Sequence, residues 1–343
     1  MPYQHVIVTE FGGPEKLKVV TEPNLPEPEP GQIRVKVLTA GTGFTDTIIR
    51  VGQYIDVKDK PPFTLGYDWV GVVDKLGVGV SNLKLGQWVA DMPVIGGYTQ
   101  YLCVDAMRVV PIPDSVDPAE AVCMILSYTT AYQMLTRVRE IPKGSVCLVH
   151  AAGGAVGTAL LELGRLMGLK MYGTASQSKH ALVKQLGGIP IDYRSEDFVE
   201  RIKQDTGGKG VDVIFDTLGG KSWARSYKCI KRGGMLIGFG ALQMTTGEEN
   251  TLSVMLGFAK LLAFWKLIPD GKATTFYNIH HRRQKLPDEF KQDVQTLTKL
   301  LAEGKLKPTV AGRYSLSEAQ KVHRMIDKAE IAGKAVLICN EQV

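Results

Sequence analysis

Cysteine is scarce in this 343-residue chain. The five present, Cys103, Cys123, Cys147, Cys229 and Cys339, are odd in number, far apart and without a CxxC pair. That excludes a disulfide framework and a cysteine-rich zinc site, and it suits a reduced, cytoplasmic setting. Long apolar runs are lacking too. The longest, Leu252 to Ile268, is broken by Lys260 and Lys266, stops at Pro269, and falls short of the ~20 residues a bilayer span requires. It reads as a buried or half-exposed helix; the alternative is a weak membrane-surface contact helped by Lys272, His281, Arg282 and Arg283. The opening MPYQHVIVTEFGG has no basic region followed by an apolar run, so no signal peptide is expected. Charge of one sign is equally thin: 41 Lys and Arg face 35 Asp and Glu, a net +6. That is too little to argue for nucleic acid, although it suits an anionic ligand. No GxSxG elbow gives hydrolase chemistry a foothold.

What is present is a globular composition, 44% hydrophobic and 22% charged, in a length that implies about two domains. The first ~125 residues hold short β-type runs punctuated by Gly and Pro, the pattern of a compact all-β domain. From Pro118 the pattern changes to one helical stretch, Ala119 to Arg139, and then to strand–helix alternation. KGSVCLVHAAGG leads into a helix, and IPIDY, VDVIFDTLGG and MLIGFGA follow as further strands with helices between them. Such alternation predicts an α/β fold with a doubly wound parallel sheet. The tail from Pro287 reads as helices and a closing strand, KAVLICN.

The strand Ser145 to His150 runs into Ala151, Ala152, Gly153, Gly154, Ala155, Val156 and Gly157, and a helix starts at once. The strict GxGxxG is absent. The spacing is Ala151-xx-Gly154-xx-Gly157, at a strand-to-helix junction followed by a second strand. There, glycines let the backbone approach a pyrophosphate, and the helix N-terminus offers unpaired N–H groups. A side chain at Gly154 would occupy the phosphate's place. An NAD site places an acid at the end of the second strand, yet no Asp or Glu lies between Gly164 and Gly188. Thr174, Ser176, Ser178 and Lys179 stand there instead, hydroxyls and a cation suited to a 2′-phosphate, with Tyr193 placed to flank adenine or phosphate. NADPH is therefore the expected cofactor.

The motifs AGTGFTD (40–46), RVGQY (50–54), LGYDWVGVV (65–73), SYTTAY (127–132), VHAAGGAVG (149–157), GTASQSKH (173–180), FDTLGG (215–220), GFG (238–240) and GKAVL (333–337) together resemble the medium-chain dehydrogenase/reductase family. The likeness is to its zinc-independent quinone oxidoreductase branch and, within that, to the synaptic vesicle amine transport protein-1 homologues. It covers nearly the whole chain. It implies a GroES-like β domain over 1–125 and 270–343, a Rossmann domain over 126–269, an active site in a cleft, and a homodimer. Zinc-using relatives carry ligands where this chain has Gly43, Tyr67 and Leu126, none of which binds zinc, so no metal is expected. Asp68, beside that position, is expected to be a structural hydrogen-bonding residue, and so is His150.

The resemblance makes Tyr54 the cleft tyrosine, a donor to developing negative charge on a substrate oxygen. Thr130 is to face the nicotinamide and its ribose. Phe239 and Gly240 are to approach the nicotinamide, and Lys334 is to reach a cofactor phosphate. Gly43 stands where relatives carry Asn; with Tyr54 and Tyr67 it is expected to line the substrate pocket. The expected activity is metal-free, NADPH-dependent reduction of a quinone or an α,β-unsaturated carbonyl (an enone). Two alternatives stand beside it. One is an NADPH-binding, membrane- or partner-associated protein with little turnover. The other is an ene-reductase for a bulky lipophilic substrate, walled by the variable stretch from Ala241 to His281.

Overall fold

A computed structural model describes residues 1–245, 247 and 250–340; residues 246, 248 and 249 of the variable stretch therefore lie outside the described part. The chain forms two compact units, Met1–Thr129 with His280–Val343, and Thr130–Ile279.

The first unit opens with strands β1 (Tyr3–Val8), β2 (Leu17–Glu22), β3 (Gln32–Gly41), β4 (Phe63–Thr64), β5 (Asp68–Leu76), β6 (Trp88–Asp91), β7 (Tyr101–Asp105) and β8 (Val110–Pro111), with helix α1 (Phe44–Arg50) after β3. Helix α2 (Pro118–Cys123) starts where the Asp117 side chain accepts from the Ala119 and Glu120 N–H groups and Pro118 takes the first helical position, where its missing N–H costs nothing. The single helix expected over 119–139 is interrupted. A π-helical turn, Met124–Tyr128, separates α2 from α3 (Thr129–Thr136), a distortion often found at functional sites.

The second unit carries β9 (Val146–Val149), α4 (Ala155–Leu166), β10 (Lys170–Ala175), α5 (His180–Gln185), β11 (Gly188–Asp192), α6 (Phe198–Asp205), β12 (Val211–Asp216), α7 (Gly220–Cys229), β13 (Ile230–Gly238), the short α8 (Leu242–Thr245), α9 (Thr251–Leu262) and β14 (Ala273–Phe276). Its six strands pair in parallel in the order β11-β10-β9-β12-β13-β14. This is the 3-2-1-4-5-6 order of the dinucleotide-binding fold, whose ligand crevice opens where the order reverses, at the C-terminal ends of β9 and β12. Strand interiors such as β9 and β12 are nearly continuous apolar runs because helices cover both faces. Trp223, fully buried, meets Phe258 edge-on at 4.8 Å.

The second boundary falls ten residues later than the expected 269/270. The reason is β14, which pairs with β13 through Met235↔Ala273 to Gly238↔Phe276 and so keeps 270–279 in the nucleotide sheet. The first boundary falls at Thr129/Thr130 rather than 125/126.

From His280 the chain is back in the first unit, with α10 (Ile279–Lys285), α11 (Pro287–Ala302), β15 (Val310–Ser315), α12 (Ala319–Asp327) and β16 (Lys334–Ile338). The larger sheet there runs β15-β16-β3-β5-β6-β8, with β7 also on β3, and a smaller one runs β2-β1-β4. The last strand thus lies beside β3, pairing Val336 with Gly41. Arg50 of the RVGQY motif ties in α12: buried, it reaches His323 Nδ1 at 3.0 Å and donates to Asp327 at 2.9 Å. Burial holds His323 down to about 3, neutral at ordinary pH.

Candidate active site

In the nucleotide unit, the turn from β9 into α4 is built from glycines with different duties. Ala151 has a φ of 55°, an unusual backbone for alanine, and its carbonyl accepts from the Gly154 N–H at 3.0 Å. A Cβ on Gly157 would meet the Ala151 carbonyl oxygen at 2.3 Å, so this glycine is required by the fold; one on Gly153 would meet the Lys179 stem at 2.6 Å. Gly154 differs. Its backbone is extended, φ −88° and ψ 177°, a conformation open to any residue. A Cβ there would make only an ordinary contact, 3.4 Å to the Ala151 carbonyl oxygen. Nothing in the protein demands glycine at this point, and the space stays open in front of a helix with no side-chain cap. The N–H groups of Ala155, Val156 and Gly157 have no intrahelical acceptors. This cradle fits a pyrophosphate.

The other residues assigned to the cofactor in this unit divide. Ser176 and Lys179 follow β10, with Ser176 Oγ 3.1 Å from Ser178 Oγ. Lys179 is half-buried, and desolvation lowers its pKa. Tyr193 follows β11, whose Asp192 pairs with Ala175 of β10, so both groups stand at the C-terminal edge of adjacent strands. Tyr193 is 53% exposed and carries the Arg194 guanidinium over its ring at 5.7 Å. Arg194 is a second cation just after β11.

Thr174 is a correction. It is buried, and its hydroxyl lies 3.0 Å from His150 Nδ1, so it serves the interior rather than a ligand. His150 Nε2 in turn lies 3.0 Å from Ser226 Oγ, which donates to Asp216 at 2.7 Å, as Ser222 does at 2.9 Å. Gly240, after β13, has a purely local reason to be glycine, because a Cβ would strike the Thr217 hydroxyl at 2.4 Å. Its neighbour Phe239 donates its N–H to the Asp216 carbonyl at 3.1 Å. Thr130 is buried at the start of α3.

In the first unit, three strands assemble a charged cluster. Gly41 pairs with Asp68 across β3–β5 and with Val336 across β3–β16. A Cβ on Gly41 would fall 2.3 Å from both Asp68 Oδ1 and Lys334 Cε, so its bare backbone makes room for an ion pair. Lys334 Nζ donates to Asp68 Oδ2 at 2.7 Å, and the Leu126 N–H donates to the same oxygen at 3.2 Å. Lys334 is 2% exposed. The phosphate role assigned to it is the second correction, since its charge is committed to a buried carboxylate. Asp68 is the hydrogen-bonding residue expected, with an ionic partner added.

Asp46 is a further buried carboxyl nearby. Its Oδ2 accepts from the Gly43 N–H at 2.8 Å, while among the described residues no hydrogen-bond partner within 3.5 Å meets its Oδ1 or that of Asp68. Burial, with Asp68 adding to it, pushes Asp46 up to about 7. Tyr54 and Tyr67 join through their hydroxyls at 2.7 Å, with rings edge-on at 5.9 Å. Tyr67 is buried and Tyr54 half-buried; desolvation raises both, Tyr54 to about 12. Both phenols therefore keep their protons at neutral pH and can donate. A Cβ on Gly43 would meet nothing nearer than Asp46 Oδ2 at 3.8 Å, so the space in front of this glycine is open.

Two family models match: an alcohol dehydrogenase GroES-like domain over residues 29–114 and a zinc-binding dehydrogenase over residues 188–337. Quinone oxidoreductase 1 of Escherichia coli is 31% identical across 96% of this chain and 97% of its own length. The synaptic vesicle membrane protein VAT-1 homolog of rat (Rattus norvegicus) is 30% identical across 98% of this chain and 84% of its own. Among solved structures, E. coli quinone oxidoreductase complexed with NADPH superposes with a TM-score of 0.85 at 28% identity, covering 98% of this chain and 99% of that one.

The chain belongs to the medium-chain dehydrogenase/reductase family. Within it the likeness is to the quinone oxidoreductase branch and the VAT-1 homologues. The word zinc in one family description does not carry over to the donors here. Gly43 and Leu126 offer no ligand atom and the Tyr67 phenol is held protonated. Among the described residues no group of three or more His, Cys, Asp or Glu can hold a metal ion. Asp46 and the Asp68–Lys334 pair were the parts of this site hardest to foresee. Asp46 stands in AGTGFTD and Lys334 in GKAVL, but 266 residues separate Lys334 from Asp68, and only strand register brings them together.

Proposed function

We propose that this medium-chain reductase uses NADPH to reduce a quinone or an α,β-unsaturated carbonyl without a metal. The observation that carries the reading is the turn at Gly154, where the fold leaves open a space that a pyrophosphate fills. NADPH, when bound, supplies the hydride and the reducing equivalents. The chain's own residues do the rest. Main-chain N–H groups of 155–157 hold the diphosphate, and Ser176, Lys179 and Tyr193 receive the adenosine end, with Lys179 selecting the 2′-phosphate. Tyr54 donates a hydrogen bond to the substrate oxygen as negative charge develops on it, and Tyr67 holds the Tyr54 hydroxyl in place. The open space at Gly43 admits a broader substrate than an amide there would.

A homodimer and a reduced, cytoplasmic setting complete the proposal. β14 is the edge strand of its sheet, available to a second copy, and all five cysteines are free thiols. The test is NADPH oxidation by the purified chain with a panel of quinones and enones. Turnover with members of either class supports the reading. Tight NADPH binding with silence across the panel overturns it in favour of a binding protein.

A further inference from the structure

Between β9 and the glycine turn stands a buried histidine, His150, and its partners determine where its proton sits. Asp216 is buried at the end of β12, and Ser222 and Ser226, on one face of α7, both donate to its Oδ2. With its single proton given to Asp216, the Ser226 oxygen accepts from His150 Nε2, 3.0 Å away. Burial lowers the pKa of His150, so the ring is neutral, carries its proton on Nε2 and leaves Nδ1 bare. The Thr174 hydroxyl, 3.0 Å from Nδ1, is therefore the donor there. Each hydrogen bond from Thr174 to Asp216 thus has one direction.

Thr174 lies where two turns meet. Ladder pairing of β10 with β9 ends at Gly173↔Val149. Beyond it, the Thr174 carbonyl accepts the Ala152 N–H at 3.0 Å, and the Thr174 hydroxyl holds His150. Two residues later Ser176 opens the turn that carries Lys179, whose N–H returns to the Ser176 carbonyl at 2.9 Å. The Lys179 stem lies so close to Gly153 that a Cβ there would meet it at 2.6 Å. The two turns therefore touch, and a small slide of the β10 exit against that of β9 moves the lysine ammonium relative to the main-chain cradle.

We propose that His150 is a positioning residue for coenzyme choice: held by Ser226 and Asp216, its ring fixes the exit of β10 so that Lys179 stands in register with the 151–157 turn. The inference rests on the reading above, in which that turn holds the diphosphate and Lys179 the 2′-phosphate. A diphosphate is common to NADPH and NADH, and main-chain N–H groups hold it. The 2′-phosphate contact belongs to NADPH alone and depends on where a long side chain begins. Loss of the two hydrogen bonds of the ring therefore weakens NADPH more than NADH. A histidine that only filled the interior would cost stability and treat the two coenzymes alike.

Calorimetric titration of the full chain and its variants with both coenzymes, well below each melting temperature, tests this. His150→Phe keeps a ring against Phe198, which His150 meets edge-on at 4.7 Å, but neither donates nor accepts. Its dissociation constant for NADPH is expected to rise roughly 10-fold, and that for NADH by less than about 3-fold. Thr174→Val should reproduce the shift, and the two substitutions together should do no more than either alone. His150→Gln, whose amide offers a donor and an acceptor, should keep most of the parent preference. An unchanged ratio of the two affinities in His150→Phe and Thr174→Val overturns the inference, and so does equal weakening of both coenzymes. Should His150→Phe fail to fold, the ratio in Thr174→Val decides. A parent with no preference for NADPH, or a Lys179→Glu variant that keeps the preference, overturns the underlying reading and this inference with it.

Discussion

The glycine turn at 151–157 and the cluster around Asp68 are built on opposite terms. The first is a site made of missing side chains, its donors belonging to the main chain and its length confined to seven consecutive residues. The second is made of side chains, Asp46, Asp68, Lys334, Tyr54 and Tyr67, brought together from four separate stretches of sequence. Glycine serves both, for different reasons: Gly41 clears room for a neighbouring ion pair, whereas a side chain at Gly154 would make only an ordinary contact, leaving the space our proposal gives to the diphosphate. The difference teaches that binding and folding are separable in the nucleotide turn and entangled in the charged cluster.

Substitutions can break that contrast. The largest effect is expected from Lys334→Met, which strands a buried Asp68 carboxylate and should destabilise the chain by roughly 3–5 kcal/mol, measured by denaturant unfolding. Adding Asp68→Asn should return much of the loss; no recovery would show that the stranded charge is not its cause. Gly154→Val should leave the unfolding midpoint near the parent value while NADPH affinity falls by roughly 100-fold, about 2.7 kcal/mol. Gly157→Ala, pushed against the Ala151 carbonyl, should instead lose roughly 1–3 kcal/mol of stability. If both glycine variants behaved alike, the distinction within the turn would be wrong.

Smaller effects sharpen the comparison. Tyr54→Phe should lower kcat by roughly 100-fold with KM for NADPH unchanged; steady-state kinetics against one quinone reads both. Lys179→Glu should raise KM for NADPH by roughly 10- to 100-fold, from the ~1.5–3 kcal/mol of a charge-assisted hydrogen bond, and leave NADH nearly untouched. A pH dependence of stability is expected as well. The folded pKa of Asp46 is about 7, raised by burial from 3.8, so between these values the folded state holds a proton that the unfolded state has released. Stability from this group is full below about pH 4 and is lost as pH rises through 7. Unfolding of Asp46→Asn across that range should lack this decline.

How legible each region was follows from the same contrast. The parallel sheet and the turn could be read because strand, glycines and helix are adjacent, and the 3.6-residue period begins where the glycines end. The absence of an acid after β10 was readable on the same local terms, and so was the lack of zinc donors at Gly43, Tyr67 and Leu126. Thr174 was misread because sequence gives the end of a strand but not which way its hydroxyl points, and here it points at His150. Lys334 was misread because its partner sits on a strand from the other end of the chain. The π-helical turn left no mark in an apolar helical run. The boundary near 270 shifted because a four-residue strand, ATTF, is too short to announce itself against the helix before it.

The most direct test of the pyrophosphate cradle is calorimetric titration of the purified full chain with NADPH and, separately, NADH. One-site binding of NADPH, at least roughly tenfold tighter than NADH, is expected. No heat with either coenzyme would contradict the cradle outright, and tighter binding of NADH would contradict the phosphate assignment at Lys179.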